Sequence, residues 1–333
     1  MDIAFFSTKE WVRHSFDAAN ESYQFDLTYY EPRLGHDTVR LAHGHDAVCA
    51  FVNDDLSAPV LDQLADAGVK VIAMRCAGYN NVDVEQAHRR GLHVVRVPAY
   101  SPHAVAEHTL GMILSLNRRY HRAYWRIRDG NFSLDGLLGF DLKGKTVGVV
   151  GTGRIGRTLV GLFCGFGCEI LVFDKYPDED WARRNDARYV PLDELYSASD
   201  IITLHCPLTD ETYHMINTES ISAMKHGVML VNTSRGPLVD TDAVIDGLKS
   251  RRIGYLGLDV YEEESELFFE DLSEEVIQDD TFVRLETFPN VLITAHQAFF
   301  TREAVDSIAE TTLENIAEIE RSGESRNEIG VSK

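Results

Sequence analysis

The sequence predicts an α/β protein built on parallel sheets, and three observations predict it. Short apolar runs alternate with helical patterns along most of the chain. A glycine-rich turn, GTGRIG at 151–156, stands between an apolar run and a helical pattern. At 333 residues the chain is too long for one ordinary domain and suits two.

The first third supplies one sheet. Residues 3–6 read as a strand and 8–19 as a helix. Strands follow at 25–30, 47–52, 69–74 and 93–97, with helices between several of them, notably 57–67 and 83–90. Such alternation implies parallel β-α-β units. A long helical pattern, 101–128, opens with Ser101-Pro102. Serine is a good N-cap, and proline fits the first helical position, where no N–H is needed. A loop rich in Gly, Asp and Leu covers 129–144. A second series starts at Lys145, with strands at 145–150, 169–173, 200–204, 227–232, 255–259 and 291–294. The last helix, 301–322, stops near Gly323.

Composition narrows the class. Hydrophobic residues are 44% and charged residues 26%, a globular profile. Asp and Glu number 53 against 32 Lys and Arg, a net charge of −21. That surface repels nucleic acid phosphates and anionic membranes, so neither is expected as a partner. The N-terminus turns polar too soon for a signal peptide, and no apolar run nears the roughly 20 residues of a spanning helix. Five cysteines, at 49, 76, 164, 168 and 206, form no C-x-x-C pair. Reduced thiols and a cytoplasmic setting are expected.

The glycine turn has the context that a dinucleotide site requires. A strand at 146–150 runs into Gly151-Thr152-Gly153-Arg154-Ile155-Gly156, a helix follows, and a second strand ends at Asp174. Gly151 allows the tight turn, Gly153 the approach of a pyrophosphate to the helix N-terminus, and Gly156 close helix–sheet packing. Asp174 suits the adenosine ribose hydroxyls and repels the extra phosphate of NADP, so NAD is expected. Lys175 could offset part of that repulsion.

Three later strand ends carry complementary chemistry. Strand 227–232 leads to Thr233-Ser234-Arg235-Gly236, strand 255–259 to Glu262, Glu263 and Glu264, and strand 291–294 to His296. Ligands of open α/β sheets sit beyond such ends. Arg235 offers a planar fork to a substrate carboxylate. His296 can exchange a proton near neutral pH, and a nearby glutamate would orient it. The set suits reduction of a 2-keto acid. Residue types leave the choice among the three glutamates open, and His205, at another strand end, is a rival proton donor.

These stretches resemble the D-isomer-specific 2-hydroxyacid dehydrogenase family, most closely its fermentative D-lactate dehydrogenase branch. The matching segments are RCAGYNNVD (75–83), VPAYSPHAVAEHTLGMILSLNRR (97–119), GTGRIG, LHCPLT (204–209), MLVNTSRGPLVD (229–240), LDVYEEE (258–264), FFEDLSEEVIQDDTFVRL (268–285) and HQAFFT (296–301). The resemblance implies that Arg235 binds the carboxylate, that His296 is the acid–base group, and that Glu264 is its paired carboxylate. It implies that Ala77, Gly78 and Tyr100 meet the substrate. It adds Cys206, Pro207, Thr233, Ser234 and Asp259 to the cofactor contacts of Gly151, Gly153, Arg154, Ile155, Gly156 and Asp174. It also implies two doubly wound domains with the active site in their cleft. A flavodoxin-like substrate domain would take 1–99 plus 299–333, and a Rossmann NAD-binding domain 100–298. Pyruvate and D-lactate are the expected substrate pair. The alternatives are hydroxypyruvate, glyoxylate or a bulkier keto acid, or a corepressor-type NAD-sensing binding protein.

Other signals point to structure. His43, His45, His103 and His108 lack zinc-ligand spacing, and no metal is expected. Arginines 118, 119, 122, 126 and 128 suggest ion pairs at a contact between copies, so a homo-oligomer is expected. Residues 262–286 hold eleven acids and one arginine, a local net of −10. An acidic loop beside the active site is expected, with a field that favours the protonated form of His296.

Overall fold

In a computed structural model, which describes residues 1–264 and 267–330, the chain divides into two compact units. Ser265 and Glu266 of the acidic stretch, and the last three residues of the expected 299–333 segment, lie outside the described residues. One unit comprises Met1–Ser101 with the segment from Phe300 on, and the other comprises Pro102–Phe299. The crossings fall one to two residues later than the sequence suggests.

The first unit begins with β1 (Asp2–Phe5), α1 (Glu10–Asn20), β2 (Asp26–Tyr29), β3 (Ala47–Ala50), α2 (Ala58–Asp66), β4 (Val71–Met74), α3 (Val84–Arg89) and β5 (His93–Arg96). All its strand pairs are parallel, in the order β2-β1-β3-β4-β5. That order is the flavodoxin-like one. β3 and β4 are buried at every residue, as central parallel strands covered on both faces require. At the edge, β2 has no buried residue.

The second unit opens with α4 (Pro102–Arg118) and α5 (Tyr120–Arg128). The single helix expected over 101–128 is broken by Arg119, whose φ of 52° is left-handed. Its guanidinium covers the Tyr255 ring and donates to the Pro289 carbonyl. The two helices also differ in burial. α4 buries Met112, Ile113 and Leu116, whereas α5 buries nothing.

Next come β6 (Thr146–Val150), α6 (Arg154–Phe166), β7 (Glu169–Phe173), α7 (Glu179–Arg184), β8 (Ala187–Tyr189), α8 (Leu192–Ala198) and β9 (Ile201–Leu204). They are followed by α9 (Thr218–Ala223), β10 (Val228–Asn232), α10 (Thr241–Lys249), β11 (Ile253–Leu258), α11 (Asp280–Glu286) and β12 (Val291–Ile293). The parallel order is β12-β11-β10-β9-β6-β7-β8. Six of these strands are legible in the sequence. β8 is not, because three residues reading Ala-Arg-Tyr carry no apolar run. The order reverses between β6 and β9, which is the switch point where ligands of such sheets bind.

The chain then returns to the first unit with α12 (Arg302–Ser322). Thr301 caps its first turn by accepting from Ala304 N, and Gly323 ends it at φ 76°. Asn315 Nδ2 donates to Arg96 O at 2.9 Å, so the helix is tied to the end of β5. No described helix is long and apolar enough to cross a membrane.

Candidate active site

The switch point of the second unit is built by glycines. Gly151 ends β6 at φ 100°, a conformation that L side chains rarely adopt. A Cβ there would lie 2.6 Å from Cys206 N and the His205 carbonyl, so the turns after β6 and β9 meet only because it is absent. At Gly156 an added Cβ would strike Gly151 O, which shows how closely α6 approaches the turn. Gly153 caps α6, and nothing lies within 4 Å of where its Cβ would be. The helix N-terminus, with the amides of Arg154 and Ile155, is therefore open to an anionic group.

Asp174, just after β7, stands beside this turn. Its carboxylate accepts from Thr152 N at 2.7 Å, Thr152 Oγ1 at 3.0 Å and Tyr176 N at 2.9 Å. Burial pushes its pKa up, but these donors outweigh burial and hold it below the ordinary value. Lys175 is paired with Glu211 at 3.0 Å, which answers its positive charge locally. An open helix N-terminus, crowding that only glycine permits and a fixed carboxylate one strand away fit NAD. On the other side of the switch point, Ser234 Oγ donates to Cys206 O at 2.7 Å, linking the loops after β9 and β10. Burial pushes the Cys206 thiol up to about 11. Pro207 lies exposed on the same loop.

Arg235, Glu264 and His296 follow three adjacent strands, β10, β11 and β12. Asn232 organises the first loop: its Oδ1 accepts from Ser234 N at 3.0 Å and its Nδ2 donates to Arg235 O at 2.7 Å. Gly236 then lies against the Tyr261 backbone, where a Cβ would collide, so the arginine loop packs on the turn that carries the glutamates. In that turn Tyr261 N donates to Glu264 Oε2 at 3.0 Å, and Glu264 Oε1 meets His296 Nδ1 at 2.8 Å. Both partners are mostly buried. Phe269 and Phe299 flank the imidazole at ring-centroid distances of 5.6 and 6.4 Å.

The rival residues have other occupations. Glu262 meets His214 Nε2 at 2.5 Å and accepts from Thr241 Oγ1 at 2.8 Å. Glu263 lines a cavity of about 400 Å³ in the acidic stretch, whose lining includes neither Glu264 nor His296. His205 bonds Thr203 Oγ1, and burial pushes its pKa down to about 3, so it is neutral at physiological pH. Asp279 of the acidic stretch caps α11 and accepts from Tyr261 Oη at 2.7 Å. Of the three consecutive glutamates, Glu262 is thus engaged by His214 and Thr241, and Glu264 is the one that meets the imidazole of His296.

Sequence reasoning missed how His296 is held. Its φ is 51°, left-handed and strained for a side chain of this size. Asp259, fully buried at the end of β11, imposes that turn. Its carbonyl accepts from His296 N at 2.7 Å, and its carboxylate accepts from Gln297 N, Ala298 N and Thr294 Oγ1. Burial pushes the Asp259 pKa up, but His108, Thr294 and Ala298 together hold it low. Its carboxylate oxygens are therefore occupied by protein donors, which makes this aspartate an organiser of the histidine turn.

The remaining expected residues belong to the first unit. Ala77 and Gly78 form a turn after β4, where Arg96 Nη1 donates to Ala77 O at 2.8 Å and Cys76 Sγ to Gly78 O at 3.2 Å. Tyr100 is partly buried beyond β5. Within the chain, Arg126 donates to Asp135 O and Arg128 to Tyr124 Oη.

Comparison with known proteins agrees with this geometry. Residues 110–298 match the family described as D-isomer specific 2-hydroxyacid dehydrogenase, NAD binding domain. A D-lactate dehydrogenase of Escherichia coli is 53% identical over 329 residues, covering 99% of this chain and 100% of its own. A 2-hydroxyacid dehydrogenase homolog of Haemophilus influenzae is 55% identical over 316 residues, 95% of each chain. The apo-structure of the Escherichia coli D-lactate dehydrogenase superposes with a TM-score of 0.90 at 50% identity, covering 99% of this chain and 100% of that one. This chain therefore belongs to the D-isomer-specific 2-hydroxyacid dehydrogenase family and is an NAD-dependent oxidoreductase.

Proposed function

We propose that the chain is a D-lactate dehydrogenase that reduces pyruvate to D-lactate and catalyses the reverse reaction. The observation that carries this reading is the 2.8 Å bond between His296 Nδ1 and Glu264, one strand from Arg235 in the unit that bears the dinucleotide turn. With Nδ1 donating to the carboxylate, Nε2 is left as the nitrogen that exchanges a proton. In reduction His296 gives that proton to the carbonyl oxygen, and in oxidation it takes the hydroxyl proton. Glu264, by accepting from Nδ1, fixes the ring plane. Arg235 holds the substrate carboxylate in a two-point grip and polarises the neighbouring carbonyl. NAD held at the 151–156 turn would supply the hydride for reduction and take it up in oxidation.

Ala77, Gly78 and Tyr100 are proposed as further substrate contacts. The cofactor contacts proposed are Gly151, Gly153, Arg154, Ile155, Gly156, Asp174, Cys206, Pro207, Thr233 and Ser234, with Asp259 acting through the turn it holds. The chain is proposed to act in the cytoplasm as a homo-oligomer. Support for assembly comes from α5, which leaves Tyr120, Tyr124, Trp125 and Ile127 all more than half exposed, more apolar surface than one short helix of a monomer ordinarily shows.

The test is NADH oxidation against pyruvate, hydroxypyruvate, glyoxylate and bulkier 2-keto acids, with chiral resolution of the product. Pyruvate should be the preferred substrate and D-lactate the product. L-lactate, or no turnover with pyruvate, would overturn the reading.

A further inference from the structure

His108 and Thr109 are consecutive residues of α4, and each reaches a different loop of the proposed catalytic site. Thr109 is fully buried. Its hydroxyl donates to Val105 O at 2.7 Å, so its one proton is committed. In the 2.8 Å bond between Thr109 Oγ1 and Thr233 Oγ1, Thr233 must therefore donate. Thr233 is two residues before Arg235.

A similar proton count applies on the other side. Thr294 Oγ1 donates to Asp259 Oδ1 at 2.5 Å, so it can only accept from His108 Nε2 at 3.2 Å. The same N–H faces Asp259 Oδ1 at 3.4 Å. His108 must thus carry its proton on Nε2 and share it between the two oxygens. One oxygen belongs to Thr294, which opens the turn of residues 294–298, and the other to Asp259, around which that turn wraps with His296 at its left-handed φ.

We infer that His108 and Thr109 are positioning residues that lock the Arg235 loop and the His296 turn in register with one rigid helix. A helix that needed only to pack here would present apolar groups, as α4 does at Val105, Met112, Ile113 and Leu116. A polar pair aimed at two loops serves orientation, because acid–base and carboxylate groups lose efficiency steeply when misplaced. The inference rests on the roles proposed above for His296 and Arg235.

The test uses H108A, H108Q, T109V and T109S, with H296A and R235K as references. The readouts are kcat, KM for pyruvate, NADH affinity by fluorescence titration, thermal midpoint and the His296 imidazole resonance of the cofactor-free protein. H108A should lower kcat about tenfold and shift the His296 resonance, with NADH affinity little changed. The glutamine variant, which keeps an N–H donor at similar reach, should recover most of the loss. T109V should raise KM for pyruvate about tenfold and leave that resonance in place, and serine should restore KM. Unchanged kcat in H108A with unchanged KM in T109V overturns the inference. So do losses that follow the thermal midpoint alone and are not recovered by glutamine or serine. If H296A and R235K behave as the unmodified chain does, the catalytic reading itself falls and takes this inference with it.

Discussion

At the scale of the residue, the proposed chemistry depends on an imidazole whose two nitrogens have different tasks. Nδ1 is tied to Glu264, so the ring cannot flip without breaking a charge-assisted bond. His296→Ala should lower turnover by about 10² to 10⁴, and a near-normal rate in a steady-state assay would move the acid–base role elsewhere. Arg235→Lys should also be damaging. It keeps the charge but loses the planar fork, so KM for the keto acid should rise even where the variant folds normally. Asp174→Ala should relax the preference for NADH over NADPH, as measured by the ratio of kcat/KM values. An unchanged ratio would refute the ribose role, since Lys175 is already answered by Glu211. The residues behind these predictions are legible in the sequence because strand ends and glycine spacing mark them. Asp259 is named there only as a cofactor contact, and its hold on His296, like the parts played by His108 and Thr294, is not legible. All three act through bonds between residues far apart in sequence, and no local pattern records such a bond.

At the scale of the element, the decisive features are close approaches that only glycine allows. Gly236 joins the Arg235 loop to the turn that carries Glu264, and a Cβ there would strike the Tyr261 backbone. Gly236→Ala should push that turn away from His296. Catalysis should fall by more than the loss in thermal midpoint explains, because backbone must move to admit the methyl group. A variant with full turnover would show that the two loops can separate without consequence. The broken helix at Arg119 teaches a different lesson. Its helical pattern continues across the break, and nothing in the local residues forbids a single helix. The break is decided by burial: α4 is held against the sheet side of its unit, whereas α5 has no buried residue.

At the scale of the whole molecule, acid should destabilise the fold, and two groups of residues set where. His205 is held near 3 when folded, against an ordinary 6.5. Between these values the unfolded chain binds more protons, so stability rises with pH across that window and falls as acid is added. Asp174, Asp200 and Asp259 are all held below the ordinary 3.8. Their contribution is complete above that value and is lost as pH falls through their folded values. Both effects act in the same direction. Urea midpoints should therefore decline from about pH 6.5 downward, and His205→Gln should flatten the upper part of that decline. Identical slopes for the two proteins would remove His205 as a cause. The net charge of −21 adds self-repulsion, which salt should screen.

By itself the sequence determined the α/β class, eleven of the twelve strands among the described residues, the dinucleotide turn and the residue types of the site. Each is written in local periodicity or in short spacing, where a side chain's role depends on its neighbours in the chain. Residue types alone leave the choice among three consecutive glutamates open, the resemblance implies Glu264, and only the tertiary structure decided why His205 stays neutral and what forces the histidine into a left-handed turn. Those outcomes depend on burial and on bonds that span from tens of residues to well over a hundred, such as His108 to Thr294. They exist only once the strand order has brought the ends of β10, β11 and β12 side by side.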